Sequence, residues 1–216
     1  MAKKKKQETI TIKCPQCNGS GELKKKKING KKKGNRGELR ISKILTDKLK
    51  MGKFNRTPNS GGFSCSHILS KEAQLCLSGD LIAPTQDFAF SIENKCGYND
   101  IELSKILMNK PQLKKLGEFL KQSCVDAAKV KRIPMVIYSR DYRDPVSIIP
   151  MTQENERLIM IKNLFCSVSS FMSFDYEIEE YPQWNKWIIF ILDELLDIAP
   201  KEFFFDEKVK YDKDWK

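Results

Sequence analysis

Phe88-Ala-Phe-Ser-Ile-Glu-Asn-Lys95 is the stretch whose reading decides the fold. Apolar and small residues dominate it, and it ends on a carboxylate and an ammonium two positions apart. As an extended strand, its side chains alternate between faces, so Ala89, Ser91, Glu93 and Lys95 share one face and Phe88, Phe90, Ile92 and Asn94 the other. Eight residues upstream, Asp80 stands directly before the short apolar run Leu81-Ile-Ala83, which reads as a second strand. Downstream, Leu113, Leu116, Leu120, Cys124, Ala127 and Ala128 keep a three-four spacing and predict a helix over Gln112 to Val130. It leads into Pro134-Met-Val-Ile-Tyr138, a strand by composition, and after the turn Asp141-Tyr-Arg-Asp-Pro145 comes Val146-Ser-Ile-Ile149, its expected neighbour. Helices alternating with strands in this order indicate a mixed α/β domain.

Outward from that centre, Leu39, Ile41, Ile44, Leu45 and Leu49 predict a helix from about Gly37 to Leu49, with Glu38 in its first turn. Arg56-Thr-Pro-Asn-Ser-Gly-Gly62 is dense in turn formers and reads as a loop. Trp184 to Ile198 is apolar and reads as a helix ending before Pro200, while Leu164 to Phe174 could be extended. The organisation expected is a basic arm over 1–36, a core over 37–150 and an α+β C-terminal extension over 151–216 that packs on the core.

Charge is distributed unevenly. The chain carries a formal +11, yet residues 1–56 alone hold 19 Lys and Arg against four acids, Glu8, Glu22, Glu38 and Asp47. Such a concentration suits contact with a polyanion, because each phosphate neutralised releases counterions; a solubilising lysine tail is the alternative. The last 44 residues, with 12 acids and 6 lysines, are poorly suited to touch DNA. The lysine-led start shows no secretory signal, and the odd count of seven cysteines fits a reduced, cytoplasmic compartment. The longest apolar run, Trp187 to Leu192, is too short to span a bilayer, so membrane insertion is not expected.

The chemistry expected rests on Asp80, Glu93 and Lys95. Two carboxylates at neighbouring strand ends can converge on a Mg²⁺ (or Mn²⁺) ion, a hard cation that takes oxygen ligands and keeps several waters. Metal-assisted phosphodiester hydrolysis needs that arrangement, with a lysine to orient the attacking hydroxide and offset charge on the phosphate. Glu-x-Lys alone is weak: it recurs as Glu22-Leu-Lys24 in the lysine-rich arm, where it is a solvated charge pair. Glu93-Asn-Lys95 differs because it ends an apolar alternation 13 positions after an acid that opens a strand.

Arg56-Thr-Pro-Asn-Ser60-Gly61, Gly79-Asp80 and Phe88-x-Phe90-Ser-Ile-Glu93-x-Lys95 together resemble the PD-(D/E)XK nuclease superfamily, and within it the archaeal and phage Holliday junction resolvase-like branch. The resemblance covers about residues 37 to 140 and implies a restriction-endonuclease-like core, a mixed central sheet flanked by helices. It implies an endonuclease acting on branched or four-way DNA, working as a homodimer in a bacterial or archaeal host cell, with a viral origin; a nuclease of single strands, ends or specific sites, or a DNA-binding module of the same fold without catalysis, is the alternative. Glu38 would match an acid that completes the site from the first helix, and Gln122 a glutamine beside it; a dipole acid and an exposed helix residue are the alternatives. Arg56 and Ser60 suit phosphate contact, against a merely structural turn. Gly79 stands where the superfamily name puts proline, and Phe63 to Ser78 is an insertion.

Cys14-Pro-Gln-Cys17 has the spacing of half a zinc knuckle. A closed structural Zn²⁺ site needs four ligands and would have to recruit from Cys65, His67 and Cys76; a reduced pair, or zinc shared between subunits, is the alternative. Cys96, Cys124 and Cys166 lie in or beside apolar stretches and read as core residues.

Overall fold

A computed structural model describes residues 11–13, 20–22, 30–58, 79–85, 87–98, 101, 113–152, 184 and 186–205. Its centre is a six-stranded sheet in chain order, β3 (Asn55–Arg56), β4 (Leu81–Ile82), β5 (Phe90–Cys96), β6 (Ile133–Ser139), β7 (Val146–Pro150) and β8 (Trp187–Ile191). Neighbours are antiparallel except β5 and β6, which run parallel with Phe90 opposite Ile133 and Cys96 opposite Ser139. A parallel pair cannot be joined by a tight turn. Between β5 and β6 the chain runs through helix α2 (Leu113–Lys129), which packs against both strands.

Both faces of the sheet are covered, and the strands' two-residue period divides the core accordingly. Phe90 and Ile92 of β5, Ile133, Met135 and Ile137 of β6, and Ile188 and Phe190 of β8 meet Ile41, Leu45 and Leu49 of helix α1 (Gly30–Leu49). The same layer takes in Leu195 of helix α3 (Leu192–Ile198) and Phe203 to Phe205 of helix α4 (Lys201–Phe205). On the opposite face Val136, Tyr138, Ile148, Trp187 and Ile189 meet Leu116, Leu120, Cys124 and Ala127 of α2. This is the mixed α/β, restriction-endonuclease-like architecture expected, and the alternation through Phe88 to Lys95 holds: Phe90 and Ile92 look toward α1, Glu93 and Lys95 toward α2.

Three segments differ from expectation. Trp187–Ile191 is the sixth strand rather than part of a helix, and the helix begins only at Leu192. Its run of apolar residues is buried on both faces, so it shows neither strand alternation nor a helical stripe. Helix α1 starts at Gly30, before the expected Gly37, and so takes in Lys31 to Arg36. Within the stretch read as an arm, β1 (Thr11–Lys13) pairs antiparallel with β2 (Ser20–Glu22), Lys13 opposite Ser20. The extended reading of Leu164 to Phe174 lies outside the described residues.

Arg56 belongs to a short edge strand rather than a loop, and its place is set by helix α1. Ser42 Oγ donates to the Phe54 carbonyl at 2.6 Å, and the Phe54 N–H donates to Thr46 Oγ1 at 3.0 Å. Phe54 is fully buried, edge-on to Phe88 at 5.2 Å between centroids. Two residues on, Arg56 points to the same side of the strand.

Trp187 tests whether β8 is integral to the core. It is fully buried and its Nε1 donates to the Trp184 carbonyl at 2.9 Å. Trp187→Ala is expected to lower unfolding stability by about 3–5 kcal/mol, measured by urea denaturation, whereas truncation of a strand merely lying on the sheet would shift the midpoint little.

Candidate active site

Asp80 is reached through a bend that only glycine fits. Gly79 has φ +75°, and a Cβ there would lie 2.4 Å from the Ile92 carbonyl oxygen. This close approach lets the Asp80 N–H donate to the same carbonyl at 2.7 Å. The Asp80 carbonyl accepts from the Thr57 N–H at 2.9 Å, and Asp80 Oδ2 accepts from the Asn94 N–H at 2.9 Å. Because Leu81 pairs with Ile92, Asp80 falls beside Glu93 at the end of the ladder.

Glu93, Lys95 and Gln122 close a triangle on the α2 side. Lys95 Nζ donates to Glu93 Oε1 at 2.6 Å and to Gln122 Oε1 at 2.9 Å, while Gln122 Nε2 donates to Glu93 Oε1 at 3.1 Å. The Lys95 ammonium also lies 5.0 Å from the centre of the Phe119 ring, which is tilted against Tyr98. Asp80 and Glu93 are both buried. Burial pushes the Glu93 carboxyl up from its ordinary 4.5 to about 7; the nearby charge of Asp80 pushes the same way, and Lys95 opposes both.

Of the residues singled out in the sequence, Asp80, Glu93, Lys95 and Gln122 are therefore brought together. Glu38 and Arg56 are brought to each other instead: the Arg56 Nε donates to Glu38 Oε2. Ser60, Cys14, Cys17, Cys65, His67, Cys76 and Cys166 lie outside the described residues. Asn94, the middle residue of Glu-x-Lys, was not singled out by its type, yet its backbone N–H holds Asp80. Phe119 shows in the sequence only as part of a helix, although the helical period places it one turn from Gln122. The early start of α1 adds exposed Arg36 to the ridge that carries exposed Arg40 and Lys43 within the expected helix.

The donor set fits a hard divalent cation. Asp80 and Glu93 supply anionic oxygens that repel each other in a water-poor corner, and Gln122 offers a neutral oxygen beside them. Among the described residues no three His, Cys, Asp or Glu side chains form a metal-binding group. Among the same residues no helix is long and apolar enough to cross a membrane.

Residues 29–205 match the family model described as "Phage putative PDDEXK endonuclease". The chain belongs to this family. The match spans the six-stranded sheet and the four described helices, and places the protein among PD-(D/E)XK nucleases, which generally use divalent metals. No curated protein and no solved structure matches the chain.

The Glu93 carboxyl gives the fold a pH signature. It ionises near 4.5 in the unfolded chain and about 7 in the folded one, so between those values the folded state binds more protons. Its contribution to stability is full below 4.5, falls as pH rises through about 7, and is level above. Thermal unfolding of the metal-free protein from pH 4.5 to 8.5 is expected to show Glu93→Gln gaining stability relative to the natural chain as pH rises. A constant difference across that range would remove the assigned shift.

Proposed function

We propose that the chain is a divalent-metal-dependent endodeoxyribonuclease that cuts branched DNA, with Asp80, Glu93 and Lys95 as its cleavage centre. The observation that carries this reading is the pairing of two buried carboxylates, one with its pKa pushed to about 7, beside a lysine held at 2.6 Å. Perturbed titration of this kind collects at functional sites.

Asp80 and Glu93 would hold Mg²⁺ or Mn²⁺, which supplies a water acidified enough to attack at neutral pH and polarises the phosphoryl oxygen. Lys95 offsets the negative charge that builds on the phosphate and directs the attacking oxygen. Gln122 keeps Lys95 and Glu93 at fixed separation, with Phe119 limiting the swing of the ammonium. Arg56 and Ser60 grip phosphates flanking the scissile bond, and the ridge of Arg36, Arg40 and Lys43 follows the backbone further out.

Branched DNA as substrate is supported by the likeness of the sequences Arg56 to Gly61 and Glu93-x-Lys95 to those of junction-resolving enzymes. A homodimer would match the two-fold symmetry of a four-way junction and set paired nicks in opposite strands. The Cys14-x-x-Cys17 spacing suits half of a structural zinc site.

The test is cleavage of a labelled immobile four-way junction and of linear duplex of the same sequence, with and without Mg²⁺. Metal-dependent paired nicks in the junction alone are expected. Asp80→Asn is expected to lower the rate by at least about a hundredfold while leaving junction binding intact. Equal cutting of both substrates would remove the junction preference, and an unimpaired Asp80→Asn would remove the assigned centre.

A further inference from the structure

Glu38 is the one acid of the expected site that stands apart from the others. It is 7% exposed, on the buried side of α1. One residue earlier, Gly37 sits so close to β5 that a Cβ would lie 2.8 Å from Cys96 Cβ and 3.2 Å from Asn94 Nδ2. That contact locks this turn of the helix on the strand. A residue further along a helix points about 100° away, which turns Glu38 toward β3. There it meets Arg56, whose direction is set by the anchoring of Phe54 to Ser42 and Thr46.

We infer that Glu38 is a positioning residue that holds the Arg56 guanidinium toward a substrate phosphate, and is not a third metal ligand; the inference rests on the nuclease reading above. A buried carboxylate needs a partner, and Arg56 is that partner. Glu38 engages Nε, so the plane of the guanidinium is fixed while the two terminal nitrogens remain for an anion, the fork that suits a phosphate. The Arg56 side chain is 27% exposed, enough to be reached from outside. Strand pairing of Arg56 with Leu81, and the bond from Thr57 N–H to the Asp80 carbonyl, set the Arg56 backbone beside that of Asp80. Moving Glu38 to join Asp80 and Glu93 would abandon Arg56 and gather a third negative charge where two already repel.

The two roles separate in a pair of equilibrium measurements on the full chain. Binding of a labelled four-way junction in EDTA reads the Arg56 contact. Binding of Mn²⁺ without DNA, followed by the electron paramagnetic resonance of the free ion, reads the metal site. Glu38→Ala and Arg56→Ala are each expected to weaken junction binding by about tenfold, with the double variant no weaker than Arg56→Ala. Glu38→Gln keeps an oxygen for the Nε donor and the shape of the buried side chain; junction affinity within about threefold of the natural chain and unchanged Mn²⁺ affinity are expected. Loss of Mn²⁺ affinity in Glu38→Gln with full junction affinity would overturn the inference and leave the nuclease reading standing, as would additive losses in the double variant. A natural chain that bound neither junction nor Mn²⁺ would overturn both.

Discussion

Two hydrogen bonds tie Asp80 to the strand beside it, its own N–H to the Ile92 carbonyl and the Asn94 N–H to its carboxylate. The positions of the other site groups follow from them. They are possible only because Gly79 permits an approach that any side chain would block, and they bring an acid from one strand against an acid from the next. Around that joint the fold is arranged in layers: α1 pins β3 and so Arg56, α2 delivers Gln122 and Phe119, and β6 to β8 extend the sheet that keeps β5 buried on both faces. Strand β5 and helix α2 supply Glu93, Lys95 and Gln122, and Asp80 is bonded to β5 from the glycine bend, which is the positional precision that hydrolysis requires.

The electrostatic consequence is a stored tension. Burial and the charge of Asp80 both disfavour the charged form of Glu93, and the single ammonium of Lys95 offsets only part of that. A divalent cation is the natural complement of such a corner, and a protein lacking one carries the repulsion as reduced stability at neutral pH. A site of this kind is disfavoured for the fold and favoured for the chemistry, which is the usual relation where a local rule of folding is broken for function.

Much of this was legible in the sequence, and the reason is periodicity. The alternation through Phe88 to Lys95 puts Glu93 and Lys95 on one face, and the three-four spacing of α2 predicts its limits to within a residue at each end. The strands at Pro134 and Val146 were equally plain. What was not legible lacked a period. Trp187–Ile191 is apolar throughout because both its faces are covered, so it resembled helix; Gly30, Gly34 and a lysine block gave no sign that α1 had begun; and a two-residue edge strand at Arg56 is too short to alternate. The partner of Glu38 was hidden for a different reason. Its meeting with Arg56 depends on how a helix turn sits on a strand, which spacing along the chain does not encode.

The measurement that tests the central claim most directly is calorimetric titration of the full chain with Mg²⁺ at pH 7 in two buffers of different ionisation enthalpy, which counts protons released on binding. A carboxyl that ionises at about 7 is half protonated there, and a cation bound by Asp80 and Glu93 would expel about half a proton per site. That release is expected at pH 7, declining toward zero by pH 8.5 and lost in Glu93→Gln. Binding without proton release at pH 7, or an identical release from Glu93→Gln, would contradict it.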